Sequence, residues 1–234
     1  MSDPKRRGAP LSTRAAAALA RFALKLGARV TVQIDGELPR EGPLIVIANH
    51  ISAADPPLVA GWLTKLLGRR LHILAKETLF VGPVGWFLRS QGVTPVRRGG
   101  SDIEAYRSAK QVLDRGDVLC IFPEGTRSFD GVMGEPKPGV AMLATREAVP
   151  ILPVGISGSD WFLGRGKALP RLRAPIRLHV GKPFTLQLDA SLSRRAAINE
   201  ASDELMRRIA ELVDERHRGR FRVRIVADSA TRGR

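Results

Sequence analysis

The feature that most constrains this chain is a regular alternation between short β-rich runs and longer helical runs. Such alternation predicts an α/β fold in which helices cover the faces of a central sheet. The predicted strands are residues 30–34, 44–48, 71–75, 93–96, 118–122, 151–156 and 176–180. The predicted helices are residues 12–28, 57–67, 83–91, 102–115, 138–147 and 193–216. Because 44% of the 234 residues are apolar types, the chain has enough apolar side chains for a sizeable core.

Basic residues are concentrated at the two ends of the chain, whose formal net charge is +15. Residues 1–29 hold seven Lys or Arg and one acid, and residues 216–234 hold seven Arg and one acid. The region between them is nearly neutral. Basic ends predict an anionic partner, and charge alone leaves open whether it is a membrane surface or a nucleic acid.

Several classes of protein are excluded or not expected. A single cysteine, Cys120, excludes a disulfide scaffold and a cysteine-based zinc site. The four histidines show no metal-ligand spacing, so no metal is expected. No stretch reaches the ~18 apolar residues of a membrane-spanning helix. The basic start lacks a clear cleavage site, so no export signal is predicted.

The first predicted helix is amphipathic. Its basic side chains fall within a sector of roughly 80°, and its apolar side chains lie on the other side. The basic side chains are those of Arg14, Arg21, Lys25 and Arg29. The apolar side chains are those of Leu19, Phe22, Ala23 and Leu26. The pattern is typical of a helix lying in a membrane interface, and equally of a first helix packed on its own domain.

Polar residues follow the apolar strand predicted at 44–48, at the edge where α/β sheets bind ligands. On one continuous helix His50 and Asp55 would point about 140° apart. The sequence Asp55-Pro56 predicts a helix start instead, which leaves His50 in a loop and allows the carboxylate to return to its ring. A histidine oriented by a carboxylate suits proton removal from a substrate hydroxyl. The alternative is that Asp55 only caps the helix and His50 is incidental.

Two further polar segments follow predicted strands. In residues 122–128, Gly125 permits a tight turn, and Thr126 and Arg127 suit phosphate binding through a hydroxyl and a forked guanidinium. A solvated turn with Glu124 paired to Arg127 is the alternative. Residues 92–98 end in two adjacent arginines, which suit an anionic headgroup or an exposed loop. The segment 155–159 lacks the last glycine of a Gly-x-Ser-x-Gly nucleophile elbow.

In order and spacing, these segments resemble the 1-acyl-glycerol-3-phosphate acyltransferase family of glycerolipid acyltransferases. Asn49-His50-x4-Asp55 is similar to the first sequence block of that family, and residues 122–128 to its third. Residues 92–98 and 149–154 look like the second and fourth blocks. The resemblance covers roughly residues 44–156.

The resemblance implies transfer of a fatty acyl chain from a thioester donor, acyl-CoA or acyl carrier protein, to the sn-2 hydroxyl of 1-acyl-glycerol-3-phosphate. The product would be phosphatidic acid, for phospholipid synthesis. By the same resemblance, His50 and Asp55 are catalytic and no cofactor is needed. The acceptor phosphate would be bound by Arg98, Glu124, Gly125, Thr126 and Arg127. Because Arg97 stands where the family often has an acid, the alternative is another lysophospholipid or a glycolipid acceptor.

The implied architecture is a glycerolipid acyltransferase fold, an α/β domain whose mixed sheet is flanked by helices, with a short N-terminal amphipathic helix. The expected divisions are a membrane-surface helix at 1–29, an acyltransferase domain at 30–217 and a basic tail at 218–234. We expect peripheral attachment to the cytoplasmic face of the cell membrane through anionic lipid. No nucleic acid is expected as a partner, because that interpretation leaves the near-neutral body and the histidine–aspartate segment unexplained.

Overall fold

A computed structural model describes residues 8–77, 80–82, 93–96, 102–167 and 169–222. Within these residues the chain forms one seven-stranded sheet with the strand order β1-β7-β6-β2-β5-β3-β4. The strands are β1 (Ala28–Ile34), β2 (Leu44–Ala48), β3 (Leu71–Lys76), β4 (Thr94–Val96), β5 (Val118–Ile121), β6 (Ile151–Ser157) and β7 (Ala174–Val180). Among these seven described strands, only β6 and β7 pair in antiparallel fashion. The predicted mixed α/β sheet is therefore confirmed.

Helices cover both faces of this sheet. They are α1 (Leu11–Gly27), α2 (Asp55–Leu67), α3 (Asp102–Asp114), α4 (Pro138–Glu147), α5 (Ser159–Leu163) and α6 (Arg194–Ala210). One apolar cluster includes buried residues of α1, α2 and α5, and the other includes buried residues of α3, α4 and α6. The side chains of β2 alternate between these two clusters, and all five are fully buried. Burial on both faces explains the unbroken apolar run of this strand.

Cys120 on β5 belongs to the first of these clusters and is fully buried. Burial in apolar surroundings raises the pKa of its thiol to about 12, because desolvation disfavours the thiolate. The thiol is therefore a small apolar group of the core at neutral pH.

The last helix is shorter than predicted, because α6 ends at Ala210 and not at residue 216. The chain turns there so that Leu212 packs directly on the backbone of β6. A Cβ atom added at Gly155 would lie 2.6 Å from the Leu212 backbone, so only glycine permits this approach. Two short 3₁₀ turns follow, Glu215–His217 and Gly219–Phe221. The helix predicted at 83–91 lies outside the described residues.

The packed part of the chain continues beyond α6 as far as Phe221, which is 2% exposed. His217 is fully buried, and its Nδ1 lies in hydrogen-bond contact with the carbonyl of Gly131. Its other ring nitrogen is 3.4 Å from the backbone amide of Gly158. The expected domain boundary at 217 therefore falls inside a packed segment, and residues 223–234 lie outside the described residues.

Acidification is expected to destabilise this fold through His217. Burial lowers the pKa of His217 below its usual range, so the unfolded chain takes up a proton before the folded one does. The free energy of unfolding should therefore fall as the pH drops through about 6.5 and level off below the folded-state pKa. Denaturant unfolding between pH 8 and pH 5 measures this slope. His217→Gln should reduce this slope, to which the lowered pKa of His72 contributes with the same sign; an unchanged slope would contradict the assignment.

Helix α1 packs on α2 along one side and leaves an apolar stripe exposed on another. Ala17 and Leu24 are buried, and the Arg21 guanidinium donates to the Gly61 carbonyl at 2.6 Å. Phe22 and Leu26, on the apolar side, are 62% and 71% exposed. The helix thus packs on its own domain while its apolar stripe stays open. No helix among the described residues is long and apolar enough to cross a membrane.

Candidate active site

Three neighbouring parallel strands, β6, β2 and β5, end at the same edge of the sheet, and the segments that follow them form the candidate site. Asn49, directly after β2, is fully buried. Its side-chain amide donates to the Ile156 carbonyl at 2.9 Å, and its oxygen accepts from the Ile156 amide at 2.8 Å. This two-way clamp ties the end of β2 to β6, so the loop that carries His50 starts from a fixed point.

His50 and Asp55 meet across this loop. The distance from His50 Nδ1 to Asp55 Oδ2 is 3.0 Å. Oδ2 also accepts from the backbone amides of Ile51 and Ser52, each at 2.7 Å, and Asp55 is fully buried. Since a carboxylate only accepts hydrogen bonds, Nδ1 carries the proton and Nε2 is left as the basic nitrogen.

Asp55 does not cap helix α2 with its side chain. It is the first residue of the helix, Ala54 occupies the N-cap position, and no side-chain cap bond is formed. Its carboxylate turns back to the loop amides and the imidazole. The turn at Pro56 therefore brings the two groups together, and the alternative of a simple capping residue does not describe this structure.

The His50 ring is held on its flat side as well as at Nδ1. It stacks on the ring of Phe122, with centroids 4.3 Å apart and 24° between the planes. The histidine side chain keeps 16% of its surface exposed. The imidazole is therefore oriented by two contacts and still reaches the surface, which is what a general base that meets a substrate requires.

Glu124 acts on the backbone of His50. Its Oε1 accepts from the His50 amide at 2.8 Å and its Oε2 from the Gly134 amide at 2.9 Å. Burial raises the pKa of Glu124, and these two amide bonds partly oppose that rise. The amide of Ser128 donates to the His50 carbonyl at 2.8 Å. Residues 124–128 thus form hydrogen bonds with both the amide and the carbonyl of His50. The expected alternative pairing of Glu124 with Arg127 is not formed.

The turn that follows Glu124 carries the predicted phosphate-binding residues. Gly125 has a φ of +66° and donates its amide to the Phe122 carbonyl, a conformation that favours glycine. Thr126 is exposed and Arg127 is partly exposed. Among the described residues the Arg127 guanidinium has no hydrogen-bond or ion-pair partner, so it is available to an anion. Arg98 lies outside the described residues.

Sequence reasoning missed Ser159. Its fully buried hydroxyl donates to Asp55 Oδ1 at 2.6 Å, across 104 residues of chain. Residues 155–159 lack the last glycine of a Gly-x-Ser-x-Gly nucleophile elbow, so this motif does not mark Ser159 as a functional residue. No local pattern connects Ser159 with Asp55, and only the adjacency of β6 and β2 brings them together.

Comparison with known proteins bears on this arrangement. The sequence profile of the family described as Acyltransferase matches residues 29–157, more than half of the chain. The chain belongs to the acyltransferase family. The matched region contains His50, Asp55 and the 122–128 segment, so the family that these segments resemble is confirmed.

Relatives of this acyltransferase carry one common name. This chain is 28% identical over 145 residues to a chloroplastic 1-acyl-sn-glycerol-3-phosphate acyltransferase of Brassica napus. The match covers 61% of this chain and 41% of the relative. It therefore spans well under two thirds of that protein. The Bacillus subtilis 1-acyl-sn-glycerol-3-phosphate acyltransferase is 25% identical over 190 residues, which cover 81% of this chain and 90% of the relative.

A solved structure shares the fold. It is the 1-acyl-sn-glycerophosphate acyltransferase PlsC from Thermotoga maritima, with a TM-score of 0.64 and 26% sequence identity. The match covers 82% of this acyltransferase and 76% of the other chain. The glycerolipid acyltransferase fold expected from the sequence is therefore confirmed.

Proposed function

We propose that this acyltransferase moves a fatty acyl chain from a thioester donor to the sn-2 hydroxyl of 1-acyl-glycerol-3-phosphate, giving phosphatidic acid. The observation that carries the proposal is the His50–Asp55 contact. Arg127, which has no side-chain partner among the described residues, directly precedes Ser128, whose amide donates to the His50 carbonyl. A general base and a cation suited to a phosphate thus share one edge of the sheet. The names of the relatives support this acceptor.

The reaction follows from the orientation of the imidazole. His50 Nε2 takes the proton of the acceptor hydroxyl while the hydroxyl oxygen attacks the thioester carbonyl. The Asp55 carboxylate stabilises the imidazolium that forms. The tetrahedral intermediate then expels the donor thiolate, which receives the same proton from His50. An ester bond replaces the thioester bond, and the donor, acyl-CoA or acyl carrier protein, leaves as a free thiol.

Binding of the acceptor is assigned to the 124–128 turn. The Arg127 guanidinium and the Thr126 hydroxyl supply a charge and a donor for the phosphate. Arg98, from the resemblance, is proposed to add a second positive charge. Glu124 and Gly125 contribute by shaping the turn, because the carboxylate and the glycine amide are both engaged within the protein. Fixing the phosphate orients the hydroxyl toward the donor.

Arg127→Ala is expected to raise the KM for the acceptor by about 10- to 100-fold, the effect of losing a charge-assisted contact, with little change in kcat. Arg195→Ala, which removes an exposed arginine in the first turn of α6, is the matched control and should leave both constants unchanged. Steady-state kinetics with varied acceptor measures the difference. An unchanged KM in Arg127→Ala would remove Arg127 from the phosphate site.

The proposed location is the anionic, cytoplasmic surface of the cell membrane. The exposed stripe of α1, with Phe22 and Leu26, lies beside the exposed Lys25 and suits partial insertion among lipids. Each lysine or arginine near an anionic surface contributes about 1 kcal/mol. Flotation should recover more protein with vesicles that contain anionic lipid than with neutral vesicles. Equal recovery would refute the electrostatic attachment.

The decisive test is an acyl-transfer assay over a panel of lysophospholipids and glycolipid precursors. We expect the highest kcat/KM for 1-acyl-glycerol-3-phosphate, and loss of activity in a His50→Ala control. Preference for another acceptor with the same dependence on His50 would assign the alternative substrate. Absence of any acyl transfer would overturn the proposed function.

A further inference from the structure

We propose that the loop between α5 and β7, described at residues 164–167 and 169–173, is a second membrane-contacting element beside the candidate active site. This inference deepens the proposed function, because it concerns the lipid surface from which the acceptor would come. The loop carries two strongly exposed leucines, Leu169 at 81% and Leu172 at 68%. Four basic residues are interspersed with them: Arg165, Lys167, Arg171 and Arg173.

The loop is held in place by backbone hydrogen bonds. The amide of Arg171 donates to the Phe162 carbonyl at 2.8 Å, and the amide of Arg173 donates to the Gly27 carbonyl at 2.6 Å. Arg173 has a φ of +60°, which is unusual for a residue with a long side chain and persists only where the surroundings enforce it. The exposed leucines therefore sit on a loop that is tied to α1 and α5.

The loop adjoins the apolar stripe of α1. A Cβ atom added at Gly27, the last residue of α1, would lie 3.9 Å from Cδ2 of Leu172. Leu26 directly precedes Gly27, and Phe22 lies one turn earlier; both are strongly exposed. Exposed apolar side chains thus continue from the helix into the loop. Adjacent exposed apolar groups of this kind mark an interaction surface.

The charge of both segments has one sign. The sequence contains no acidic residue in 8–34 or in 161–188. A surface that combines exposed leucines with basic side chains is complementary to anionic lipid, since the apolar groups enter the acyl region and the cations meet the headgroups. An acidic protein would match the charges but would leave the leucines of loop and helix without an apolar environment, so the structure favours the bilayer.

The base of the loop also contacts the two segments that carry the proposed site residues. The Ser52 hydroxyl donates to the Leu163 carbonyl at 2.7 Å, within the loop that carries His50. The Arg165 guanidinium donates to the Arg127 carbonyl at 3.0 Å and lies 3.3 Å from the ring centroid of Phe129. A lipid headgroup at this loop would therefore stand next to the proposed phosphate site.

The test compares binding of two leucine-to-serine variants to vesicles of phosphatidylcholine and phosphatidylglycerol. L169S/L172S should lower the partition coefficient at least about tenfold, because two side chains lose their transfer into lipid. L188S/L192S is the matched control. Its leucines are 40% and 41% exposed and lie between β7 and α6, and its partition should be unchanged. Activity of L169S/L172S should fall more with vesicle-embedded acceptor than with monomeric acceptor.

Three outcomes decide the proposal. Unchanged partitioning of L169S/L172S would overturn it. If L169S/L172S kept its partitioning but was less active with acyl carrier protein as the donor, the proposal would also be overturned. The loop would then be a binding surface for an acidic protein. If L169S/L172S lost partitioning and the wild-type protein acylated no lysophospholipid, the membrane-contacting loop would be supported and the proposed function would be removed.

A separate observation supports a second inference: we infer that Ser159 is a positioning residue for Asp55. Asp55 Oδ2 faces His50, and the Ser159 hydroxyl occupies the other oxygen, Oδ1, at 2.6 Å. Both residues are fully buried. Ser159 itself is fixed by Gly158, which has a φ of +82° and lies so close to β7 that a Cβ would meet the Pro175 carbonyl. The hydroxyl therefore restricts rotation of the carboxylate.

Ser159→Ala is expected to lower kcat by about 10-fold or more with an unchanged KM for the acceptor, as for loss of a hydrogen bond to a charged group. Ser157→Ala is the matched control. Ser157 is also buried, but its hydroxyl accepts from the Asp214 amide at 2.9 Å and forms no hydrogen bond with Asp55. Both variants should lose thermal stability, and only Ser159→Ala should lose kcat.

Ser159→Cys, which nearly keeps the side-chain volume and removes the strong donor, guards against failure of the alanine variant to fold. It should show the same loss of kcat. Wild-type kcat in either Ser159 variant, or an equal loss in Ser157→Ala, would overturn the positioning role.

Discussion

Replacing His50 with alanine should lower kcat by about 10²–10⁴-fold, the usual contribution of a general base. The fold should survive, because the backbone bonds of His50 to Glu124 and Ser128 do not need the imidazole. Circular dichroism and thermal unfolding of the purified variant would check the fold, and release of the donor thiol would measure kcat.

The matched control is His179→Ala. His179 forms another histidine–aspartate contact, 2.7 Å from Asp35, on the β1 and β7 side of the sheet. Its loss should leave kcat unchanged, which separates catalysis from a general effect of removing such a pair. Near wild-type kcat in His50→Ala would remove the histidine from the reaction.

Asp55→Asn should have an effect of similar size, on the order of 10⁴-fold in kcat, the loss that a wrong imidazole tautomer causes in a serine-protease triad. The amide keeps the shape of the carboxylate but not its charge, so it no longer stabilises the imidazolium. If the NH₂ group of the asparagine faces His50, it cannot accept the hydrogen bond of Nδ1–H. If it faces Ser159, it cannot accept the hydrogen bond of the serine hydroxyl. We expect a large drop in kcat with a nearly unchanged KM for the acceptor.

Stability should also fall in Asp55→Asn, because Oδ2 accepts from the amides of Ile51 and Ser52 and Oδ1 from Ser159. Asp35→Asn, at the His179–Asp35 contact, is the control for removing a carboxylate from such a pair. Its kcat should equal that of the wild type. If Asp55→Asn kept wild-type kcat while folded, the carboxylate would have no part in orienting the base.

Strands such as β2 were predictable because they combine an apolar run with a clear end. The side chains of β2 are buried on both faces, so its five residues read as one uninterrupted apolar segment, and its bounds agree with the prediction. The end of α6 was not predictable, because the apolar spacing continues through Leu212. In the structure Leu212 packs on β6, where Gly155 leaves room for its backbone, and the spacing within α6 does not contain that contact.

The same distinction holds at the candidate site. The pairing of His50 with Asp55 could be predicted, since Pro56 marks the turn between them. The place of Glu124 could not, because its partners are backbone amides, which any residue supplies. Ser159 was hidden for a similar reason, as a single hydroxyl brought in from another strand. Contacts between distant segments depend on strand order, and a local pattern does not contain that order.

Because Cys120 is the only cysteine and its thiol is sealed inside the sheet, it has neither the access nor the ionisation needed to accept an acyl group. The transfer would then pass directly between the two substrates without a thioester on the enzyme. An aromatic disulfide reagent, which releases a coloured thiolate when it reacts with a thiol, should therefore give no colour with the native enzyme. Each equivalent of colour in a continuous assay with acyl-CoA would accordingly report one turnover.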